Sequence, residues 1–134
     1  MKICCLLLLV TSFSAFARPK ITDMSVSANG QYSEGDSVNY VATFSEAVTV
    51  TGSPRIYLNV GEDRRRANYV SGSGTEMLVF SYVVQAGDAD DDGIEDYGMI
   101  SQPDGLIRSA RTNTAASVIY PGPYIRDVLI ISAE

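Results

Sequence analysis

The feature that most constrains the fold of this chain is a series of short runs in which apolar and polar residues alternate. In the run from Ser37 to Phe44, apolar side chains occupy every second position at Val38, Tyr40, Ala42 and Phe44. Residues two apart lie on one face of a β-strand, so this run predicts a strand with one buried face. No stretch has the apolar spacing of a long amphipathic helix. Further strands are predicted at Ile21 to Ser27, Ala47 to Val50, Arg55 to Val60, Ala67 to Val70, Met77 to Val84, Leu106 to Arg108, Ser117 to Tyr120 and Val128 to Ser132.

Turn residues separate the predicted strands. Clusters of Gly, Asn, Asp and Pro favour tight turns because these residues tolerate or fix unusual backbone angles. The clusters are Asn29-Gly30, Glu34-Gly35-Asp36, Gly52-Ser53-Pro54, Gly61-Glu62-Asp63, Ser71-Gly72-Ser73-Gly74, Pro103-Asp104-Gly105 and Pro121-Gly122-Pro123. Short strands at intervals of about 8 to 12 residues predict an all-β sandwich of two antiparallel sheets with about 7 to 9 strands. The predicted core consists of Val26, Val38, Tyr40, Phe44, Ile56, Leu58, Tyr69, Leu78, Phe80, Tyr82, Val84, Leu106, Val128 and Ile130.

The chain has 8 Tyr and no Trp. In small sandwiches a tyrosine ring commonly packs in the core while its hydroxyl reaches water, so most of these tyrosines are predicted to be core residues. An aromatic binding stripe is the alternative. Tyr97, Tyr120 and Tyr124 lie near predicted turns and are therefore the predicted surface tyrosines.

The first 17 residues predict a cleaved signal peptide. Lys2 supplies the positive start, Ile3 to Val10 form an apolar core, and Ser14 to Ala17 end in small residues, so cleavage is expected after Ala17. The apolar run is shorter than the roughly 20 residues that span a bilayer, so no membrane insertion is expected. The remaining residues, 18–134, form one predicted domain that is secreted, either to the periplasm or to the cell surface and beyond.

Charge and cysteine content narrow the possible functions. Both cysteines, Cys4 and Cys5, lie inside the predicted signal peptide, so the domain is expected to fold without disulfides. The chain has a net charge of −6, which argues against nucleic acid as a partner. Its one basic cluster is Arg64-Arg65-Arg66. We predict a solvated turn there, with contact to an acidic partner as the alternative.

Five stretches in series carry a resemblance to a known family. They are Gly30-x-Tyr32-x-x-Gly35-Asp36-x-Val38, Phe44-Ser-Glu-Ala-Val-Thr-Val-Thr-Gly-Ser-Pro54, Ala67-x-Tyr69-Val-Ser-Gly-Ser-Gly74, Phe80-x-Tyr82-x-Val84-Gln-Ala-Gly-Asp88 and Asp92-Gly93-Ile94. In this respect the chain resembles the repeat unit of large secreted bacterial surface proteins and adhesins. The resemblance implies an immunoglobulin-like or cadherin-like sandwich. In that family the units are strung in tandem as a stalk, whereas this chain resembles a single unit standing alone.

The resemblance is weaker in the last third of the chain. The repeats often carry a short Asp-Ala-Ala-Gly-Asn-like turn where this chain has the residues from Ser109 to Thr114. A function tied to that turn is therefore not carried over. The ending from Asp127 to Ser132 still resembles the closing strand of the unit.

An acidic segment is either a candidate calcium site or a solvated connector between two strands. Carboxylates alternate at Asp88, Asp90 and Asp92, and Asp96 follows a turn glycine. Oxygens two residues apart in such a loop converge on one hard cation, so these four residues are the candidate calcium ligands. Met99 stands where an EF-hand would have its last ligand, so the segment is not an EF-hand. The alternatives are a solvated acidic connector, or a cadherin-like site at the domain ends that would use Asp23, Glu34, Asp36 or Asp127.

Catalysis is not expected. The chain has no His, and its only cysteines precede the predicted cleavage site, so the usual acid–base, thiol and zinc chemistries lack their residues. The sequence therefore predicts a secreted, non-catalytic binding or adhesion module that meets a protein or glycan at a cell surface. The alternatives are a structural subunit that self-associates through sheet edges, and a fragment of a larger repeat adhesin.

Overall fold

A computed structural model describes residues 18–26, 30–120, 122 and 128–130. The predicted signal peptide, residues 1–17, lies outside them. The described residues form β-strands and no helix, which confirms the all-β prediction. The strands are β1 (Ile21–Val26), β2 (Gly30–Tyr32), β3 (Ser37–Val50), β4 (Arg55–Val60), β5 (Asp63–Ser71), β6 (Thr75–Val83), β7 (Glu95–Ser101), β8 (Ile107–Ser109) and β9 (Val128–Ile130). Within these ranges there is accordingly no helix that could cross a membrane.

Most strands belong to one curled antiparallel sheet, in the order β1-β3-β6-β5-β4-β7. The two short strands β2 and β9 pair in parallel as a separate ribbon. The long strand β3 organises the large sheet, because it pairs with β1 over its first half and with β8 over its second. Val48 pairs with Thr75 of β6 and with Ser109 of β8, so β8 lies on the edge of β3 that faces away from β6.

The segment 115–120 joins the two edges of the curled sheet. On one side, the backbone N–H of Ile100 in β7 donates to the carbonyl of Val118 over 3.0 Å. On the other side, the N–H of Ser117 donates to the carbonyl of Pro19, just before β1, over 2.8 Å. The predicted strand at Ser117 to Tyr120 is thus an extended segment with isolated bridges and not a ladder.

The core lies inside the curl, and the alternation of the strands fills it. In β4, for example, Ile56, Leu58 and Val60 are buried, while the residues between them are half-buried. The predicted core residues that are buried are Val38, Tyr40, Phe44, Ile56, Leu58, Leu78, Phe80, Tyr82, Val84 and Ile130. Val26, Tyr69 and Leu106 are only partly buried, and the side chain of Val128 lies outside the described part.

The structure differs from the predictions in several segments. The runs at Ser37 to Phe44 and Ala47 to Val50 are one strand, because the register shift between Thr43 and Val48 does not end β3. Glu95–Ser101 and Gly30–Tyr32 form strands that the sequence pattern did not indicate, and Gly30 belongs to a predicted turn. The predicted turn at Arg64-Arg65-Arg66 is wrong, because β5 begins at Asp63 and the three arginines belong to it.

The predictions for the surface tyrosines have mixed outcomes. Tyr97 is 47% exposed, as expected. Tyr120 is only 1% exposed, so its surface prediction is wrong. Its hydroxyl donates to Asp96 over 2.8 Å, and this bond satisfies the one polar group that a buried tyrosine carries. Tyr124 lies outside the described residues.

Candidate functional site

The alternation of strand β5 divides the three consecutive arginines between the two faces of the sheet. Arg64 and Arg66 point outward and are exposed. Arg65, between them, points inward and is half-buried, and its guanidinium lies 2.8 Å from the buried carboxylate of Asp88. Residues i and i+2 of a strand share a face, so Arg65 points toward the interior, and Arg64 and Arg66 lie together on the surface.

On the outward side, the guanidinium of Arg64 lies close to two tyrosine rings. Its central carbon is 4.3 Å from the ring centroid of Tyr57 in β4 and 5.3 Å from that of Tyr97 in β7. Both distances allow a cation–π interaction. The hydroxyl of Tyr97 also donates to the side-chain oxygen of Asn59 over 3.0 Å, so the cluster is braced across three neighbouring strands.

A shallow cavity of about 270 Å³ opens beside this cluster. Its lining includes Tyr57, Arg64 and Arg66, together with Gln85, which follows β6. Arg55 shares the outward side of β4 with Tyr57. We call the surface formed by Arg55, Tyr57, Arg64, Arg66 and Tyr97 the arginine–tyrosine face.

This face carries positive charge that no carboxylate of the described residues neutralises through an ion pair. Among the described residues, neither Arg64 nor Arg66 forms an ion pair with a carboxylate. Arg65 differs, because it pairs with Asp88 and lies 3.6 Å from Asp63. The two outward guanidinium groups therefore keep N–H donors for another molecule.

An apolar strip borders the arginine–tyrosine face along β7. Met99 is 48% exposed, and Ile119, which bridges to Met99 from the segment 115–120, is 67% exposed. Tyr97, whose ring centroid is 5.3 Å from the guanidinium carbon of Arg64, connects this strip to the arginine–tyrosine face. Tyr, Arg and Met are enriched in protein interfaces, so the composition is that of a contact surface.

The candidate calcium ligand Asp88 is used inside the protein. Its carboxylate is 1% exposed and accepts hydrogen bonds from the guanidinium of Arg65, the hydroxyl of Tyr82 and the backbone N–H of Gln85. Three donors therefore surround one carboxylate, and the loop after β6 is fixed against β5. Asp96 is used similarly, since it accepts from the hydroxyl of Tyr120 and, over 3.2 Å, from the N–H of Gly98.

Asp90 ties the acidic loop to the turn between β4 and β5. Its carboxylate accepts from the backbone N–H of Gly61 over 2.7 Å and from that of Asp92 over 3.2 Å. Gly61 has a φ of +62°, and a Cβ there would lie 2.3 Å from the carbonyl oxygen of Ala89. The turn and the loop therefore pack closely only because residue 61 is glycine.

Asp92 is the exposed member of the predicted calcium set. A side-chain hydrogen bond with Asp90, and then the negative charge of Asp90, raise the pKa of the Asp92 carboxyl above its usual value. Asp90 and Asp92 share a small cavity of about 110 Å³ with Asn59 and Glu95. The structure thus brings these two predicted ligands together and assigns Asp88 and Asp96 to other partners.

The calcium prediction stays a prediction. In the described ranges no group of three or more His, Cys, Asp or Glu side chains is arranged to hold a metal ion. The alternative of a solvated connector is wrong for Asp88, Asp90 and Asp96, because all three are buried. Of the cadherin-like candidates, the exposed residues are Asp23, Glu34 and Asp36, and Asp127 lies outside the described residues.

Comparisons of the chain with protein-family models, with curated proteins and with solved structures give no match. The function is therefore inferred from the geometry of the site itself. The arginine–tyrosine face was not predicted as a unit, although the alternation from Arg65 through Ala67 to Tyr69 was a signal that Arg64 and Arg66 share the opposite face.

Proposed function

We propose that the protein is a secreted, non-catalytic binding module, and that its contact surface is the arginine–tyrosine face. The observation that carries the proposal is the position of Arg64 within cation–π distance of both Tyr57 and Tyr97 on the outward side of three hydrogen-bonded strands. Side chains held on a sheet lose little further freedom on binding, which favours affinity.

The setting of the face also supports a binding role. The N-terminal sequence has the pattern of an export signal. The resemblance of the following domain to adhesin repeats suggests a place at the bacterial surface or in the periplasm. Within this proposal the domain is an immunoglobulin-like sandwich closed by the segment 115–120. Calcium bound at Asp90 and Asp92 would stiffen the adjacent loop.

Binding to the surface of the encoding organism tests the proposal. The purified protein, fluorescently labelled, is titrated onto intact cells and isolated envelopes, together with the double variant Tyr97→Ser, Met99→Ser. Both residues are about half exposed, so the variant should fold. Saturable binding by the wild type, weakened about tenfold or more in the variant, is expected, because aromatic contact residues often dominate interface energy.

The matched control is Met77→Ser. Met77 is 51% exposed and lies near the start of β6, opposite Thr43 of β3, at the other end of the strand from the cavity beside Gln85. The control should bind as the wild type does. Equal loss in both variants, or no saturable binding by the wild type, would refute the arginine–tyrosine face as the contact surface.

Self-association through the edge of β1 is a second candidate function. In the described part of the chain, β1 is an end strand of the large sheet and pairs only with β3. An unpaired edge can add a strand from another copy. Asp23 and the register shift beside it interrupt this edge and weigh against such pairing. Sedimentation over a range of concentrations tests it, because a constant monomer mass would exclude this candidate.

A further inference from the structure

We propose that the arginine–tyrosine face binds an acidic segment of a partner polypeptide. Carboxylates of the partner would pair with Arg64 and Arg66, and an apolar side chain of the same segment would pack on Tyr97, Met99 and Ile119. This inference rests on the proposed function and specifies the chemistry of the partner.

The distribution of charge in the protein favours an acidic partner. The chain is acidic as a whole, with 16 Asp and Glu against 10 Lys and Arg. Four of its arginines nevertheless lie on the adjacent strands β4 and β5, namely Arg55 and the three from Arg64 to Arg66. Because Arg64 and Arg66 have no carboxylate partner among the described residues, the face selects a negatively charged ligand.

The guanidinium of Arg64 is pre-organised by the neighbouring tyrosine rings. A guanidinium that stacks on aromatic rings uses its flat face, and its N–H edge stays available for a carboxylate. Here the central carbon of the Arg64 guanidinium lies 4.3 Å from the ring centroid of Tyr57 and 5.3 Å from that of Tyr97, so both rings restrict its position. Arg66 pairs directly opposite Tyr57 in the ladder, so a second guanidinium group lies on the same side of the sheet, two residues along β5. Two carboxylates of one extended segment can therefore bind together.

The exposed groups of the face suit a polypeptide better than an acidic glycan. The guanidinium of Arg64 already covers a face of both tyrosine rings, which leaves less aromatic surface for stacking against a sugar. Next to the rings, the exposed side chains of Met99 and Ile119 are purely apolar contact groups. Such groups suit the side chains of a peptide better than the hydroxyls of a glycan.

The acidic end of the face fixes the direction of the partner. Asn59 of β4 pairs with Arg64 on one side and with Glu95 of β7 on the other. Glu95 in turn lines the small cavity that contains Asp90 and Asp92. Negative groups of a ligand are repelled there. The acidic part of the segment should therefore lie toward Arg66 and the cavity beside Gln85.

Peptide binding measured by fluorescence anisotropy tests the inference. The probe is a short labelled peptide in which Glu and Asp alternate with Leu, and the comparison peptide has Gln and Asn in place of the acids. The protein variant is Arg64→Gln, Arg66→Gln. The control is Arg108→Gln, Arg111→Gln, which removes the same charge from β8 and the turn after it. An oligogalacturonate of similar charge represents the glycan class.

Three results are expected. The acidic peptide binds and the neutral peptide does not. Raising the salt concentration weakens binding. The Arg64→Gln, Arg66→Gln variant loses about tenfold or more in affinity while the Arg108→Gln, Arg111→Gln control stays within about threefold, because two charge-assisted contacts are lost in the first and only general attraction in the second.

Each contrary result overturns the inference in a recognisable way. Equal loss in both double variants would show only non-specific attraction. Stronger binding of the oligogalacturonate than of the peptide would assign the face to a glycan. A concentration-dependent increase in mass that the Arg64→Gln, Arg66→Gln variant abolishes would identify a second copy of this chain as the occupant. Cell binding that depends on Tyr97 and Met99, without binding of the acidic peptide, would leave the proposed function standing and refute this inference alone.

Discussion

Replacing Asp88 by alanine should destabilise the fold more than any other change in the acidic loop. The carboxylate accepts hydrogen bonds from three donors, which belong to Arg65, Tyr82 and Gln85. The substitution removes the carboxylate that accepts the hydrogen bond of the Tyr82 hydroxyl, and Tyr82 is only 2% exposed. It also removes the carboxylate that lies closest to the guanidinium of Arg65.

The magnitude follows from these two groups. Removing one partner of a buried ion pair costs about 3 to 5 kcal/mol, and leaving a buried hydroxyl unsatisfied costs about 1 to 3 kcal/mol. The side chain of Arg65 is 24% exposed and keeps a carboxylate oxygen of Asp63 at 3.6 Å, so its contribution falls at the low end or below. Together the loss should be about 3 kcal/mol, or a fall of roughly 10 °C in melting temperature.

Urea unfolding at neutral pH measures the effect. The control is Asp91→Ala, which removes an exposed carboxylate from the same loop and should change stability by less than about 0.5 kcal/mol. A double-mutant cycle with Arg65→Met then isolates the ion pair. Because the second substitution removes the charge that the first leaves unpaired, the double variant should recover about 1 kcal/mol or more relative to additivity.

Two outcomes would refute this account of Asp88. One is a loss for Asp88→Ala no larger than that of Asp91→Ala. The other is strict additivity with Arg65→Met, which would mean that the two side chains do not interact in solution.

The remaining predictions concern the turn, a buried tyrosine and the exposed acidic pair. Gly61→Ala should cost about 2 kcal/mol or more in urea unfolding, because its Cβ would clash with a backbone oxygen, whereas Gly87→Ala meets no atom within 4 Å and should cost about 1 kcal/mol from its positive φ alone. Tyr120→Phe should cost about 1 to 2 kcal/mol, since its hydroxyl donates to a buried carboxylate; no measurable change would contradict that bond. The raised pKa of Asp92 means that the folded protein holds this proton more tightly than the unfolded chain, so stability is lost as the pH rises through that pKa. Asp92→Asn should therefore raise the melting temperature relative to wild type at neutral pH, and the difference should vanish in acid. Calcium should raise the melting temperature of the chelator-treated wild type saturably and that of Asp92→Asn much less, and an equal rise in both would exclude the Asp90 and Asp92 pair as its site.

The sequence predicts strands well where one face is buried and the other is not. The predicted bounds of Arg55 to Val60 coincide with those of β4, because alternation and flanking turn residues act together there. Prediction fails in β7, where the buried positions are Asp96, Gly98 and Ile100. A buried aspartate satisfied by a tyrosine hydroxyl has no apolar signal, so the alternation is hidden.

The candidate site is less predictable for a related reason. A run of consecutive charged residues predicts a solvated segment if all its side chains are assumed to face water. In a β-strand, however, neighbouring side chains point to opposite faces of the sheet. The runs at Arg64 to Arg66 and at Asp88 to Asp92 both contain buried or half-buried members. Which charge goes inside depends on a partner distant in the chain, such as Asp88 for Arg65, and alternation alone does not identify it.

The inward and outward arginines of β5 are therefore parts of one arrangement. Arg65 and Asp88 connect β5 to the loop that follows β6, and Gln85, which donates its N–H to the same carboxylate, lines the cavity beside Arg64 and Arg66. A buried ion pair adds little net stability compared with apolar residues of the same size, so its presence is better explained by the position that it fixes. In this protein that position is the side of the cavity against which an acidic ligand would lie.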